Sequence, residues 1–457
     1  MLFHSWEFII FFAVFYAAYL PLRNTHFYLH WLLASSYFFY GWWNPLYLLL
    51  IVYSTALDYY TVQFMERSQR RKLWLCVSIS NNLFLLGFFK YGGFVTDNLN
   101  LLIHQIGVSY TIPAPGVLLP VGISFYTFQS MSYTIDFYRG SIPRESSFIK
   151  FATFVSLFPQ LVAGPIERAK NLLPQLTGRP SIAGKDITDG LSLFFVGLFK
   201  KLVMADYLAL YVDRVYAAPD LFEGSTLAIA TFAFGWQIYF DFSGYTDMAR
   251  GIARMMGFNL MLNFNNPYLA TDLSDFWNRW HISLSSWFKN YLYLPLGGNR
   301  GTRFTTYRNI FATMVISGLW HGAAWNFVLW GAAHALGTMT TRELSRSRAY
   351  RDHVPKIVKQ VLVFAFVTFT WIFFRAETPG DAALIISRIF SAGMEDPEFP
   401  LVALALCLAI WIYQFLYDSE ARRLLRYTPV KVCLMVLILF AVIFAGSNPE
   451  AFIYFQF

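Results

Sequence analysis

Two histidines stand in tryptophan-rich settings between Asp272 and Ala335. The first setting is Phe276-Trp277-Asn278-Arg279-Trp280-His281-Ile282-Ser283-Leu284-Ser285-Ser286-Trp287; the second is Ser317-Gly318-Leu319-Trp320-His321-Gly322-Ala323-Ala324-Trp325. An imidazole titrating near neutrality can take a proton from a hydroxyl and pass it on, which is general-base work. His321 is the first candidate for that role. Gly322 removes bulk beside it, and Trp320 and Trp325 are expected to wall a dry chamber. His281 lies among Asn278, Arg279, Ser283, Ser285 and Ser286. It either contacts a polar donor group or hydrogen-bonds a neighbour. Asn278, Trp280, Asp241 and Ser317 join Trp320, Gly322 and Trp325 as residues expected to bind substrate or line its path. His334, thirteen residues past His321, reads as structural. His4, His26, His30, His104 and His353 read as interface or loop residues.

Between the two histidine settings runs Gly297-Gly298-Asn299-Arg300-Gly301-Thr302-Arg303. Arg279, Arg300 and Arg303 could hold the phosphates of a cytoplasmic donor. Anionic lipid headgroups are an equal alternative. Asp241 and Asp247 would each cost about 2.5–3.5 kcal/mol at mid-bilayer, so they must pair with a cation or line water. A structural pair with Arg250 or Arg254 is the plainer account. No GxSxG, HExxH, P-loop or GxGxxG pattern occurs, which argues against an elbow hydrolase, a zinc protease, an NTPase or a nicotinamide enzyme. Neither a metal site nor a bound cofactor is expected.

The elements that must position these residues are membrane helices. The 457 residues are 56% hydrophobic and only 14% charged, against roughly 25% charged in soluble domains. Apolar runs near bilayer length recur throughout, so an all-α polytopic membrane protein is expected, as a single domain over residues 1–457 with its site region at 239–335. The net charge of +8 is assigned to cytoplasmic loops rather than to nucleic-acid binding. Cys76, Cys407 and Cys433 sit in apolar runs with no CxxC pair, and read as buried structural cysteines.

Expected spans are Phe8–Leu20, Trp31–Trp43, Pro45–Phe64, Leu73–Phe89, Val117–Tyr138, Ala228–Met248, Val361–Phe374, Leu401–Tyr417 and Val432–Ala445. Glu66 to Lys72 is a basic, cytoplasmic loop. Gly92–Gly116 and the acidic Ala376–Pro400 suit the outer face, and Arg422, Arg423, Arg426 and Lys431 the inner one. Phe151–Val162 is too short to span and suits a re-entrant or interfacial segment. In Ile187–Leu210, Lys200 and Lys201 are expected to snorkel to the cytoplasmic face. Gly251–Arg308 has no clean span and suits short interfacial helices. Asn309–Leu319 covers about half a bilayer, and the chain must turn near His321. Both termini then lie outside, after roughly ten or eleven crossings.

Seven motifs carry a resemblance. They are Leu119-Pro120-Val121-Gly122-Ile123-Ser124-Phe125-Tyr126, Phe158-Pro159-Gln160-Leu161-Val162-Ala163-Gly164-Pro165-Ile166, Tyr239-Phe240-Asp241-Phe242-Ser243-Gly244-Tyr245, Asn263-Phe264-Asn265-Asn266-Pro267-Tyr268, Phe276–Trp287, Leu296–Gly301 and Leu319–Gly322, with the closing Tyr454-Phe455-Gln456-Phe457 in keeping. Over nearly its whole length the chain resembles the membrane-bound O-acyltransferase family, most of all its bacterial alginate, cellulose and peptidoglycan O-acetylation branch. The resemblance implies a helical bundle with re-entrant and interfacial helices around a central tunnel. It implies that His321 is the essential histidine and His281 the second site position, often asparagine in other members. It further implies an acyl thioester donor such as acetyl-CoA, a periplasmic SGNH-type transferase partner with a polysaccharide export complex, and the bacterial inner membrane. Two alternatives stand beside it: a transporter or channel for a small acyl compound or anion, and a related acyltransferase with a lipid, peptidoglycan or teichoic-acid acceptor. No internal repeat supports the transporter.

Overall fold

The computed structural model describes residues 1–162, 164–391, 393–425 and 427–445. Ala163, Arg426 and the closing Tyr454-Phe455-Gln456-Phe457, with the C-terminal end expected outside, fall outside those residues. Every regular element among the described residues is helical. The chain divides into two compact units, Met1–Leu191 with Ala249–Met261, and Ser192–Met248 with Leu262 onward.

The first unit holds α1 (Trp6–Leu22), α2 (Tyr28–Gly41), α3 (Tyr47–Arg67), α4 (Arg71–Leu86), α5 (Gly92–Gln105), α6 (Ile123–Tyr138), α7 (Phe148–Ser156), α8 (Phe158–Leu161) and α9 (Ala169–Thr177). Its polar centre is Asp58 on α3. This buried carboxylate accepts from Ser78 Oγ at 2.5 Å and Asn82 Nδ2 at 2.9 Å on α4, and from Ser130 Oγ on α6. Three helices are thereby tied by neutral donors, which is how an apolar interior tolerates a carboxylate. Residues 148–161 fold as two short helices, as expected of a segment too short to span.

Two connections differ from expectation. The expected span Leu73–Phe89 does not end at Phe89: a π-helical turn at Gly87–Tyr91 joins α4 to α5, giving one helix from Arg71 to Gln105. Thr96 and Asn98 turn their side chains back onto helix carbonyls, those of Gly93 and Phe94, while Asn100 bonds the Ile112 backbone beyond the helix. The expected Val117–Tyr138 span starts only at Ile123, because Gly122 takes a left-handed backbone, φ +77°, as its N-cap.

α10 (Gly184–Phe199) leads through a π-helical segment, Lys200–Ala205, into α11 (Asp206–Tyr216), and α12 (Gly224–Met255) follows. The lysines here do not snorkel. Lys201 is 1% exposed, with Nζ 2.7 Å from Asp206 and 2.9 Å from Asp241; Lys200 Nζ lies 2.6 Å from Asp247. The aspartates are thus paired with lysines, and Arg254 bonds Asp186 at 2.8 Å. The reason is geometric. The wider π turn sets Lys201 opposite Asp206 five residues on, and the apolar surroundings make pairing cheaper than a stretched side chain.

The second unit continues with α13 (Leu273–Arg279), α14 (Ile282–Phe288), α15 (Arg303–His321), α16 (Trp325–Leu344), α17 (Arg348–His353), α18 (Lys356–Arg375), α19 (Pro379–Ser391), α20 (Leu401–Tyr417), α21 (Arg422–Leu425) and α22 (Thr428–Ala445). α13 and α14 are short, as expected of that stretch. α15 is longer than the half-bilayer segment expected, because Thr302 caps it through the Thr305 amide and the basic stretch from Arg303 joins the helix. The acidic outer loop likewise contains α19. Fully buried Trp236, Trp280, Trp330 and Trp371 form the centre of this unit.

Many large apolar side chains lie on the surface, among them Trp6, Phe304 and Phe444, as expected of a protein solvated by lipid. Cys76 and Cys433 are among the exposed residues and only Cys407 is buried, a correction to the expectation for all three: the apolar runs around Cys76 and Cys433 face outward, not into the protein. By length and composition two described helices qualify as spans, Arg71–Gln105 and Lys356–Arg375; Trp6–Leu22, Leu401–Tyr417 and Thr428–Phe444 are apolar but shorter.

Candidate active site

The turn expected near His321 is present: α15 ends at His321, and α16 begins at Trp325. The two helices pack backbone to backbone. A Cβ on Gly318 would fall 2.1 Å from the Phe327 carbonyl oxygen, and one on Gly331 would fall 2.5 Å from that of Met314. Small residues at such crossings let helices approach closely. The approach fixes His321 at the end of α15, 3% exposed.

Three rings cage its imidazole, all edge-on: Trp320 at 5.0 Å, Trp330 at 5.2 Å and Phe374 at 5.4 Å between centroids. Gly322 is required in this arrangement, since a Cβ there would sit 1.9 Å from the Phe327 ring. Phe327 in turn packs on Phe374.

His281 also touches Trp320, its ring 6.1 Å from that indole and 4.6 Å from Phe242. It joins α13 to α14 in a left-handed backbone conformation, φ 42°, which is strained for a residue with a side chain. The strain is met by a local hydrogen-bond frame. Asn265 N–H donates to the Arg279 carbonyl and Ile282 N–H to that of Asn263, both at 2.9 Å. Asn263 Oδ1 accepts the Ser283 N–H at 3.2 Å, so the atom is the oxygen, and His281 Nδ1 at 3.1 Å must donate to it. In the neutral ring the lone pair is then on Nε2. Burial pushes the imidazole down to about 3, so it is neutral at physiological pH.

A cavity of about 420 Å³ lies among α13, α14, α15 and α16. Asn278 and Ser317, both expected on the substrate path, line it together with Trp277 and Thr338. Its cations are Lys289 and Arg342. Ser317 is one helical turn before His321, so the cavity reaches to within a turn of the caged imidazole.

The remaining expected residues go elsewhere. Trp325 is 55% exposed, and Trp330 and Phe374 take the wall assigned to it, because α16 turns Trp330 rather than its first residue inward. Trp280 belongs to the aromatic centre, on Phe276, Phe264 and Trp371. Asp241 is held by Lys201. Arg279 Nε bonds Asp275 at 2.8 Å, a pair made by the i,i+4 spacing. Arg303 stands near Glu343 at 4.0 Å, and Arg300 is exposed. None of the three lines the cavity. Sequence reasoning placed Lys289 within the basic stretch Arg279–Arg308 without singling it out, and missed Arg342. The signal for Lys289 was its place one turn past the serines of the first histidine motif.

Among the described residues, then, helices alone hold a ring-caged histidine beside a cavity of mixed polar and apolar lining. The sequence belongs to the membrane-bound O-acyltransferase (MBOAT) family, whose profile matches residues 1–377. The protein is therefore an acyltransferase, and the transporter alternative falls away. It is 42% identical to a probable alginate O-acetylase of Pseudomonas aeruginosa over 366 residues, covering 79% of this chain and 69% of that one. It is 32% identical to the peptidoglycan O-acetyltransferase of Helicobacter pylori over 487 aligned positions, covering 93% and 91%. A teichoic acid D-alanyltransferase of Streptococcus thermophilus is more distant, at 28% over 235 residues, covering 48% and 55%.

Proposed function

We propose that this chain takes an acetyl group from a cytoplasmic thioester, acetyl-CoA in the first instance, and transfers it toward O-acetylation of an exported polysaccharide of the alginate or cellulose kind. The single observation that carries this reading is the cavity lined by Asn278, Lys289 and Arg342 that reaches Ser317, one helical turn before caged His321. Two cations suit the phosphates of a coenzyme donor. A water-poor aromatic cage suits an imidazole that must not waste the acyl group on water.

In this scheme His321 removes the proton of the accepting hydroxyl, or carries the acyl group itself in a two-step transfer. His281, its ring 6.1 Å from the Trp320 indole, acts as a positioning residue. The chain acts as one domain, residues 1–457, crossing the bacterial inner membrane about ten or eleven times with both termini outside. A periplasmic SGNH-type transferase and the export complex complete the transfer to polymer. The relatives' names support acetyl as the group and a glycan as its destination.

The test is ester-linked acetate on the secreted polymer, with the neighbouring genes co-expressed and membrane levels matched. Loss of acetate in His321→Ala with polymer still secreted supports the scheme. Normal acetate in that variant ends the catalytic assignment. An acetate load on peptidoglycan instead of the exported polymer would move the acceptor to the cell wall.

A further inference from the structure

The fold buries a third histidine, which shares the Trp330 ring with His321. His334 on α16 is fully buried, with Nε2 2.9 Å from Thr370 Oγ1. That hydroxyl also lies 2.7 Å from the Val367 carbonyl oxygen. Two oxygens so close share a hydrogen, and Thr370 has only one to give. His334 Nε2 therefore supplies the hydrogen on its side, and in the neutral ring the lone pair is on Nδ1.

His334 Nδ1 has no hydrogen-bond partner among the described residues, and the same holds for the indole Nε1 atoms of Trp277 and Trp330. The three rings are in mutual contact. Centroids are 5.1 Å apart for Trp277 and His334, 4.7 Å for Trp330 and His334, and 5.7 Å for the two indoles. Trp277 also lines the cavity, and Trp330 is a wall of the His321 cage.

Buried polar atoms without partners are rare in folded proteins, and three in one packed cluster point to a bound group. Its chemistry follows from the set: one acceptor and two donors. A carbonyl oxygen would meet both N–H groups and leave Nδ1 unmet. A cation would face two N–H groups. A hydroxyl satisfies all three, since its O–H donates to Nδ1 and its lone pairs accept from the indoles.

We propose that His334, Trp277 and Trp330 form a buried hydroxyl-binding site between the cavity and the His321 cage. Its occupant is a hydroxyl oxygen, either of a water molecule or of the molecule that accepts the acyl group. The second source rests on the acyl-transfer reading above; the first does not. His334 is here a positioning residue, orienting the O–H through Nδ1.

Two substitutions separate this role from a structural one. In His334→Asn the amide oxygen falls near the place of Nδ1. In His334→Gln the longer amide reaches the place of Nε2 and keeps the Thr370 contact. The assay uses the full-length protein in lipid nanodiscs together with the periplasmic SGNH-type transferase of the proposed scheme, acetyl-CoA as donor and an unacetylated alginate oligosaccharide as acceptor, with thermal melts to confirm folding. Transfer should stay near wild type in His334→Asn and fall about tenfold in His334→Gln, the loss expected for one buried hydrogen bond. A raised KM for the oligosaccharide alone identifies the acceptor hydroxyl as occupant; a lowered kcat at unchanged KM identifies water. The reverse order, with Gln active and Asn inactive, reduces His334 to an anchor for Thr370 and overturns the proposal. Equal activity, or equal loss in folded protein, overturns it as well.

A second measurement stands apart from catalysis. A density map that resolves ordered solvent should show an oxygen within about 3.2 Å of His334 Nδ1 and of at least one of the two indole nitrogens. A dry contact there overturns the site whatever the chain transfers, while inactive wild-type protein with the oxygen present faults only the acyl-transfer reading.

Discussion

At the scale of single residues, the two motif histidines differ in what holds them. His321 is gripped by rings, and His281 by the Asn263–Ser283 frame. His321→Ala should abolish acetate transfer at normal protein levels, while His281→Asn should lower it by about 10–100-fold, the range for a misplaced reacting group. Acetate per unit of membrane protein checks both. His281 also makes an acid-stability prediction. Its folded imidazole is held down to about 3 by burial, whereas the unfolded ring titrates near 6.5. Below that value the unfolded chain binds a proton that the folded chain refuses, so stability falls as pH drops from about 6.5 toward 3. Melting between pH 7 and pH 5 should therefore lower Tm more in wild type than in His281→Asn. The motifs made both histidines legible from sequence. The cage was half legible: Trp320 adjoins His321 in the chain, but Phe374 reaches it from α18, and no local pattern announces that.

At the scale of elements, two devices set the site. The α15–α16 hairpin depends on the Gly318 and Gly331 approaches. Gly331→Leu should drive the helices apart and lose most protein from the membrane, whereas Leu329→Ala, on an exposed position of the same helix, should be nearly neutral; quantitative blotting of membranes distinguishes them. The second device is the ion cluster around Lys201. Lys201→Met leaves Asp206 and Asp241 buried without their shared cation and should destabilise by about 3–5 kcal/mol, read as loss of folded protein. Adding Asp206→Asn and Asp241→Asn to it should recover a large part. This cluster was hidden in sequence. Lysines on an apolar run suggest snorkelling, and the i,i+5 partner that the π turn supplies lies outside the helical spacings that sequence reading searches. The short helices 273–279 and 282–288, by contrast, followed from the polar character of their stretch.

At the scale of the whole molecule, the helical class and membrane setting were readable from composition, because a low charge content recurring along the chain has few other causes. Boundaries were less so. The helix ends at Gly92, Ile123 and Arg303 were set by a π turn, a left-handed glycine and a threonine cap, each a single-residue event that hydropathy averages away. The proposed orientation predicts that cysteines placed at Ser68 and Arg348, in an otherwise cysteine-free protein, are labelled only from the cytoplasmic side, and one at Asp396 only from outside. Labelling of Asp396→Cys from within would break the scheme.

The helix from Arg71 to Gln105 has a consequence of simple measurement. Its 35 residues run about 52 Å at 1.5 Å per residue, against about 30 Å of hydrocarbon. Leaning alone would need more than about 50°, beyond the 0–40° that membrane helices adopt. The helix is longer than the bilayer can hide, and its surplus end is greasy, with Leu101, Leu102 and Ile106 all exposed. An apolar end of that length suits the headgroup boundary, where exposed leucine and isoleucine side chains can leave water without breaking the helix.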